Sequence, residues 1–246
     1  MSTDPNPFDP GIQDLPASLP IFPLQGVLLL PGGQLPLNIF EPRYLELITD
    51  ALAEQRMIGM VQPVMDDEET RGFEVETAGQ AEASGSGAGA ADPGQAPMYR
   101  VGCAGRIVQF SETEDGRFLI TLRGVVRFRI RRELPQSRHY RRVLPQFDPF
   151  ANDLEAAKAY FDRQRLLDAL SYYFEQQQIE ADWNAITDAS NERLVTSLAM
   201  VCPFSAAEKQ ALLEAPTPSD RAETMTTILE MAVLGSHGAG TAAVRH

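Results

Sequence analysis

The stretch RFLITLRGVVRFRI, residues 117–130, alternates apolar and polar side chains over most of its length. A period of two is typical of a β-strand with one buried face, because successive side chains point to opposite sides. The pattern predicts two strands, RFLITLRG and VVRFRI, whose apolar side chains face inward: Phe118, Ile120 and Leu122, then Val126, Phe128 and Ile130. Arg127, Arg129 and Arg131 are predicted to point the other way.

Short strand-like segments lie on both sides of this pair. Residues 99–110 (YRVGCAGRIVQF) have the same period, and Glu114-Asp115-Gly116 is typical of a hairpin turn. Prolines divide LPIFPLQGVLLLPGGQLPLNIF (19–40) into short strands, with a tight turn at Gly32-Gly33. A last strand is expected at 140–144.

Residues 42–55 change to the three- and four-residue spacing of an amphipathic helix, and residues 57–64 return to a strand pattern. Strands and helices do not alternate regularly in this half of the chain. The pattern therefore argues against a parallel sheet and favours a small barrel or sandwich.

The chain becomes helical after Pro149. A long helix is predicted from a cap at Asn152 to about Gln178, and a shorter one at 192–201. A capping box at 205–208 and a second helix start at 217–220 predict two more helices, the last ending at Gly235. Trp183 is expected to be buried between helices.

The predicted fold class is α+β, a β-rich half followed by an α-helical bundle. We divide the chain into a flexible tail (1–17), a β-rich domain (18–149), a helical bundle (150–235) and a second flexible tail (236–246). Within the β-rich domain, residues 66–97 combine an acidic run with AGQAEASGSGAGAADPGQAP. This composition has too little apolar surface to bury, so a flexible insertion is expected there.

The composition excludes several classes of partner. A formal net charge of −13 and a sequence pI of about 4.7 argue against nucleic acid, because phosphate binding needs a basic surface. The N-terminus lacks the features of a signal peptide, and no apolar run is long enough to cross a bilayer, so we expect a cytoplasmic protein with no membrane partner. Cys103 and Cys202 are predicted to be buried and reduced.

Residues that support common catalytic mechanisms are scarce. Neither lysine, Lys158 or Lys209, follows a glycine, which excludes a P-loop, and both are predicted to lie exposed on helices, where a Ser–Lys dyad would not form. His139 lies in a polar connection, and the G-x-S-x-G and H-E-x-x-H motifs are absent. The sequence predicts no catalytic residue, no cofactor and no metal, with an unrecognised hydrolase as an alternative.

Three segments together resemble the Lon N-terminal domain family, the substrate-recognising domain of the ATP-dependent Lon protease (peptidase S16). LPIFPLQGVLLLPGGQLPLNIFEPRYLELI (19–48) is similar to the opening of the family, and residues 117–130 are similar to its hairpin. DWNAI (182–186) and LAMVCPFSAAEKQALLEAP (198–216) resemble the helical half of its stand-alone members. The resemblance implies a PUA-like pseudobarrel followed by a helical bundle, without the ATPase and protease domains.

On this resemblance, we expect a non-catalytic module that binds unfolded or extended polypeptide segments. It would act as an adaptor or holdase in protein quality control, with a protease or chaperone as partner. The candidate peptide-binding residues are Glu41, Arg43, Tyr44, Met57 and Met60. Arginine and tyrosine are common in interfaces, and methionine adapts to varied partners. The alternative is structural: Glu41 and Arg43 at the start of a helix, and the methionines in the core.

A second candidate surface is basic. Seven arginines lie between Arg127 and Arg142, and Arg127, Arg129 and Arg131 form a candidate basic strip on one strand face. PUA-like folds suggest RNA binding as an alternative function for this strip. The acidic composition and the lack of paired stacking aromatics favour instead a solvated strand face, or one that attracts acidic peptide segments.

Overall fold

The computed structural model describes residues 10–64, 81–82, 96–155 and 158–240 of the 246-residue chain. The strands are β1 (Leu19–Pro23), β2 (Gln34–Ile39), β3 (Met57–Val61), β4 (Ala81–Glu82), β5 (Val101–Glu112), β6 (Phe118–Glu133) and β7 (Arg141–Gln146). The α-helices are α1 (Pro42–Ala53), α2 (Arg163–Gln177), α3 (Trp183–Asp188), α4 (Asn191–Val201), α5 (Ala206–Glu214) and α6 (Pro218–Gly240). Short 3₁₀ segments lie at Ile12–Asp14 and Asp148–Leu154.

Five of these strands close into a small barrel. β6 pairs with β5, β5 with β3, β3 with β1, β1 with β7, and β7 returns to β6. β6 is 16 residues long, so its first half continues outside the ring, where it pairs with β2. β4 adds to the outer side of β2. The predicted α+β class, a β-rich barrel followed by helices, is confirmed.

Part of the segment predicted as a flexible insertion has a described place in this sheet. Ala81–Glu82 forms β4, which pairs in parallel with β2 at Leu37 and Asn38. At the other end of the segment, Ala96 is buried and the carbonyl of Pro97 accepts a hydrogen bond from Val64. The rest of the predicted insertion, and residues 1–9 of the predicted N-terminal tail, lie outside the described residues.

The two strands predicted on either side of Gly124 are one continuous strand, β6. Its pairing with β5 shifts register beside Gly124, which is how a β-bulge bends a strand without ending it. The backbone of Gly124 accepts a hydrogen bond from Gly32 and donates one to Gly33, both at 2.9 Å. A Cβ at Gly124 would lie 2.0 Å from the carbonyl oxygen of Leu30, so only glycine lets the turn lie against the strand.

The barrel interior is filled by alternate side chains of its strands. Phe128 is fully buried, and its ring occupies the space that a Cβ at Gly59 or Gly102 would need. The other large side chains of this interior are Leu19, Ile21, Met57, Val61, Val126, Ile130 and Val143. Their alternation along each strand is the two-residue period seen in the sequence.

A second core lies between the outside of the barrel and the helices. Phe22 packs from β1 against Tyr44 of α1, with ring centroids 4.2 Å apart. Both cysteines belong to this core and are free, as predicted. Burial raises the pKa of both thiols, that of Cys202 to about 12.

The helices differ from the sequence prediction at three points. The helix predicted to begin at Asn152 begins at Arg163, where Asp162 caps it by accepting from the backbone of Arg165 at 3.0 Å. Residues 148–154 form a 3₁₀ segment instead, and this segment places the Asp153 carboxylate where it accepts a hydrogen bond from the backbone of Arg127 on β6. The last helix continues past Gly235 to Gly240, since a single glycine weakens a helix without ending it.

The third difference concerns Trp183, which is 40% exposed rather than buried between helices. It begins α3, a six-residue helix with no buried residue, and its ring lies 6.0 Å from that of Phe174. Because this short helix lies on the surface of the bundle, only one side of the indole ring is covered.

Polar side chains connect α5 to the barrel. Gln210 donates to the carbonyl of Val101 at 3.1 Å, and Gln62 donates to that of Ala206 at 3.1 Å. Lys209 was predicted to be exposed, but it is buried, and its Nζ donates to the carbonyl of Gly26 at 2.6 Å. Burial lowers the pKa of this lysine.

Arg127 makes the most extensive connection. Its guanidinium pairs with both oxygens of Asp153 at 2.8 Å. It also donates to three carbonyls, that of Leu213 at the end of α5 and those of Ala215 and Pro216 in the connection to α6. The side chains of Arg127 and Asp153 are only 4% and 11% exposed. The prediction of Arg127 on a solvated face is therefore wrong: the side chain points out of the barrel, but the helices cover it.

Gly124→Ala is expected to lower the free energy of unfolding by about 3 kcal/mol, because the new methyl group overlaps a backbone carbonyl that cannot move freely. Urea unfolding measures the loss. Gly26→Ala is the matched control: it has a φ of +69° and no neighbour within 4 Å of the new Cβ. Its cost should be only about 1 kcal/mol, that of a left-handed conformation. Equal losses would contradict the role given to Gly124.

Arg127→Met is expected to lower the free energy of unfolding by about 3–5 kcal/mol, because Asp153 then stays buried without its partner. The double variant Arg127→Met/Asp153→Leu should recover part of the loss, since the unpaired charge is gone while the carbonyls still lack a donor. Arg129→Met, on the same strand face but exposed, should change it by about 0.5 kcal/mol at most. Similar losses for both single variants would exclude a connecting role for Arg127.

Candidate functional site

The hairpin between β5 and β6 extends beyond the closed barrel and ends in a tightly held turn. Gly116 takes a φ of +80°, which a glycine adopts at little cost. Thr113 accepts from the backbone of Arg117 at 3.1 Å and donates its hydroxyl to Asp115. This hydrogen bond, together with Arg117, holds the pKa of the Asp115 carboxyl below its usual value. The predicted turn at 114–116 is confirmed, and it fixes where Arg117 and Phe118 point.

Three phenylalanines lie at this end of the sheet. Phe110 and Phe118 lie diagonally across the β5–β6 pair on one face, with ring centroids 5.0 Å apart. Phe40 follows β2, and the guanidinium of Arg117 lies 5.8 Å from the centroid of its ring. We call Phe40, Phe110, Phe118 and Arg117 the aromatic end. Phe110 is 43% exposed, and the other two rings are partly buried.

A cavity of about 360 Å³ lies at the same end of the sheet. It is lined by β2, β5 and β6, including Pro36, Phe110 and Leu119. Thr121 donates to Gln109 at 2.8 Å across its floor. The volume falls within the range of small-molecule and side-chain pockets, and the lining combines apolar walls with a few polar groups.

Glu41 and Arg43 lie beside the aromatic end, because they follow Phe40 directly at the start of α1. Arg43 donates to the Glu41 carboxylate at 3.0 and 2.7 Å, and both side chains stay partly exposed. The Arg43 guanidinium also lies 4.8 Å from the ring centroid of Tyr44. These two predicted residues are therefore at the surface, as a polar border next to the phenylalanines.

The other three candidate peptide-binding residues are buried. Tyr44 is 4% exposed because its ring packs on Phe22, and Met57 and Met60 are each 4% exposed. The two methionines alternate on β3, so Met57 lies in the barrel interior while Met60 lies in the core under the helices. The prediction that these residues form one surface with Glu41 and Arg43 is wrong. Met57 packs in the barrel interior, whereas Tyr44 and Met60 pack in the core under the helices.

The candidate basic strip is also divided. Arg127 is buried against Asp153, while Arg129 and Arg131 are exposed. Three further arginines of the predicted cluster are taken up by ion pairs: Arg138 with Glu46 and Asp50, Arg141 with Glu133, and Arg142 with Glu54. A continuous seven-arginine surface does not exist. Arg129, Arg131 and Arg132 are exposed and take part in none of these ion pairs.

The sequence prediction did not single out Phe110. Phe118 was predicted to point inward, and it packs, together with Phe40, against the core under the helices while remaining partly exposed. One signal was available: the runs that became β5 and β6 are longer than the other strands. A hairpin whose strands are longer than those of the barrel projects beyond it. The aromatic side chains near the tip of the hairpin are then only partly covered. The helices determine which face of the hairpin is covered, and the alternation within a strand gives no information about where the helices pack.

Within the described ranges, no cluster of three or more His, Cys, Asp or Glu side chains is arranged to hold a metal ion. His139 is exposed, with its Nδ1 2.6 Å from Glu46. None of the helices in those ranges is both long and apolar enough to cross a membrane.

Solved structures show the same class of fold. The crystal structure of a Lon N-terminal domain protein from Xanthomonas campestris superimposes with a TM-score of 0.52 and 23% identity, covering 85% of this chain and 97% of that one. The N-terminal domain of the Mycobacterium avium complex Lon protease gives a TM-score of 0.52 and 14% identity, with 87% and 98% covered. The architecture is that of Lon N-terminal domains.

The sequence comparisons define the family. The model of the ATP-dependent protease La (LON) substrate-binding domain matches residues 18–231, so the chain belongs to this family. The Lon protease of Anaeromyxobacter dehalogenans is 30% identical over 128 residues, 52% of this chain. Lon protease 2 of Myxococcus xanthus is 31% identical over 118 residues, 48% of this chain. Each match spans only 12% of the length of the relative.

Proposed function

We propose that this chain is a non-catalytic module that binds unfolded or extended segments of other polypeptides, and that it binds them at the aromatic end. The observation that carries the proposal is the partly exposed phenylalanine cluster on strands that project from a rigid barrel. Unfolded chains expose apolar side chains, and aromatic rings are among the residues that contribute most to protein interfaces. The description of the family as a substrate-binding domain supports the same function.

The surroundings of the cluster fit such a surface. Glu41, Arg43 and Arg117 are charged side chains next to the apolar rings. An apolar centre with a polar rim is the usual arrangement of a protein-binding patch. The rim favours segments that carry both apolar and polar residues over purely apolar ones.

Within the same proposal, the module acts as an adaptor or holdase in protein quality control, with a protease or chaperone as its partner and the cytoplasm as its location. Support comes from the Lon protease relatives, in which the matching region is a small part of a longer protein. A binding module of this kind supplies recognition, while cleavage and ATP hydrolysis require other domains.

The state of the reactive side chains supports a non-catalytic role. Burial raises the pKa of both cysteine thiols, which disfavours the nucleophilic thiolate. Lys209 is hydrogen-bonded to a carbonyl beneath α5 rather than to a serine. These positions favour binding over the alternative of an unrecognised hydrolase.

Phe110→Asp is expected to weaken binding of a reduced, alkylated and permanently unfolded test protein by about tenfold, because it removes an apolar contact and adds a charge to the cluster. Fluorescence anisotropy with a labelled test protein measures the dissociation constant. Val201→Asp is the matched control, since Val201 is 81% exposed on α4 and the substitution is chemically similar. The control should bind like the unchanged protein.

Binding of the unfolded test protein no tighter than of its folded form would contradict the proposal. Equal binding by the Phe110 and Val201 variants would locate the site elsewhere. The non-catalytic part is tested separately: peptide cleavage by the purified chain that disappears with one substitution would overturn it.

A further inference from the structure

A second cavity, of about 520 Å³, lies near the end of β6 opposite to the aromatic end. The ends of β6 and β7 form it together with the two 3₁₀ segments, and its lining is Ile12, Arg131, Pro145, Gln146, Phe147 and Asp148. Along β6, Phe118 and Arg131 are separated by a contour length of about 43 Å at the usual rise per residue. The cavity shares no lining residue with the aromatic end, so the two surfaces can be tested separately.

Arg131 lines this cavity, and two further exposed arginines, Arg129 and Arg132, lie close to it along β6. Elsewhere in the described part of the chain, arginines such as Arg117, Arg141 and Arg165 pair with carboxylates at 2.6–2.9 Å. Arg129, Arg131 and Arg132 form no ion pair with any described carboxylate, although the protein carries a net charge of −13. An uncompensated positive patch on an acidic protein attracts negative charge from outside.

The guanidinium of Arg100 adds a fourth positive charge to this patch, because it reaches the carbonyl of Ile130 at 3.5 Å. Two acidic groups lie close to this patch: Glu133, which follows Arg132 and is engaged by Arg141, and Asp148, which lines the cavity. The pKa of the Glu133 carboxyl is lowered by its hydrogen bond to Arg141, so that this acid is already neutralised by a different arginine.

The walls of the cavity are partly apolar, and Ile12 is 42% exposed there. Arginine forks bind carboxylates through paired hydrogen bonds, and the exposed side chain of Ile12 in the cavity wall offers an apolar contact to an aliphatic side chain. Nucleic acid fits less well, since Phe147 is too buried to stack on a base. We propose that Arg129, Arg131, Arg132 and this cavity bind an acidic, extended segment of a partner protein, with one apolar side chain of the segment seated in the cavity.

The test uses a short fluorescein-labelled peptide in which single leucines separate pairs of Asp or Glu, titrated with the full chain at low salt. Arg131→Glu is expected to weaken binding by about tenfold or more, because one charge-assisted hydrogen bond is replaced by repulsion. Arg193→Glu, the same change at an exposed position of α4, should leave the affinity within about twofold. Ile12→Ala should weaken binding of this peptide but not of a version with serine in place of leucine.

Equal affinities for the Arg131 and Arg193 variants would overturn the proposal. Tighter binding of a single-stranded RNA than of the peptide at the same salt, lost in the Arg131 variant, would assign the surface to nucleic acid instead. Thermal unfolding checks that the variants are folded, and Arg131→Gln replaces Arg131→Glu if the charge reversal unfolds the protein. Phe110→Asp should keep its affinity for the acidic peptide, which separates this surface from the aromatic end.

Discussion

The buried guanidinium of Arg127 is the connection on which the relative position of barrel and helices depends. One side chain on β6 binds the carboxylate of Asp153 and the carbonyls that end α5 and precede α6. Arg221 lies in the same region, donating to the carbonyl of Leu212 at 2.8 Å, and burial together with the charge of Arg127 lowers its pKa to about 10. Two buried cations beside one carboxylate are stable only if helix-terminal carbonyls share the charge, which specifies where the helices must end.

This connection determines which parts of the sheet stay uncovered. The end of α5 and the connection to α6 cover β6 at Arg127. At one end the hairpin leaves Phe110 without full cover; at the other, Arg129 and Arg131 remain exposed. Cover by the helices therefore distinguishes Arg127 from the two arginines that share its strand face. The contact of Arg127 with the end of α5 thus stabilises the fold, and both candidate surfaces lie on the parts of β5 and β6 that this contact leaves exposed.

The sequence predicts local structure better than it predicts burial. The alternation predicts that Phe128 points inward and that Arg127 points to the opposite side of the strand, and the structure has both orientations. Local pattern contains no information about a second layer, so Arg127 and Lys209 were predicted to be exposed, although carbonyls from distant segments accept their hydrogen bonds. The candidate site was predicted less completely for the same reason: Glu41 and Arg43 are at the surface, whereas Tyr44, Met57 and Met60 are divided between two cores.

The distance between the two proposed surfaces limits how one polypeptide could use both. Thirteen residue steps of β6 separate Phe118 from Arg131, so a partner that followed the strand would need a similar number of extended residues. The strand between is covered by the helices at Arg127, so a continuous strand-like partner cannot follow β6 across that face. A single partner would instead have to be bivalent, with an apolar segment and an acidic segment joined by a linker. Linkage of this kind raises avidity only when the linker spans the fixed separation, which makes the rigidity of the Arg127 connection a determinant of binding as well as of stability.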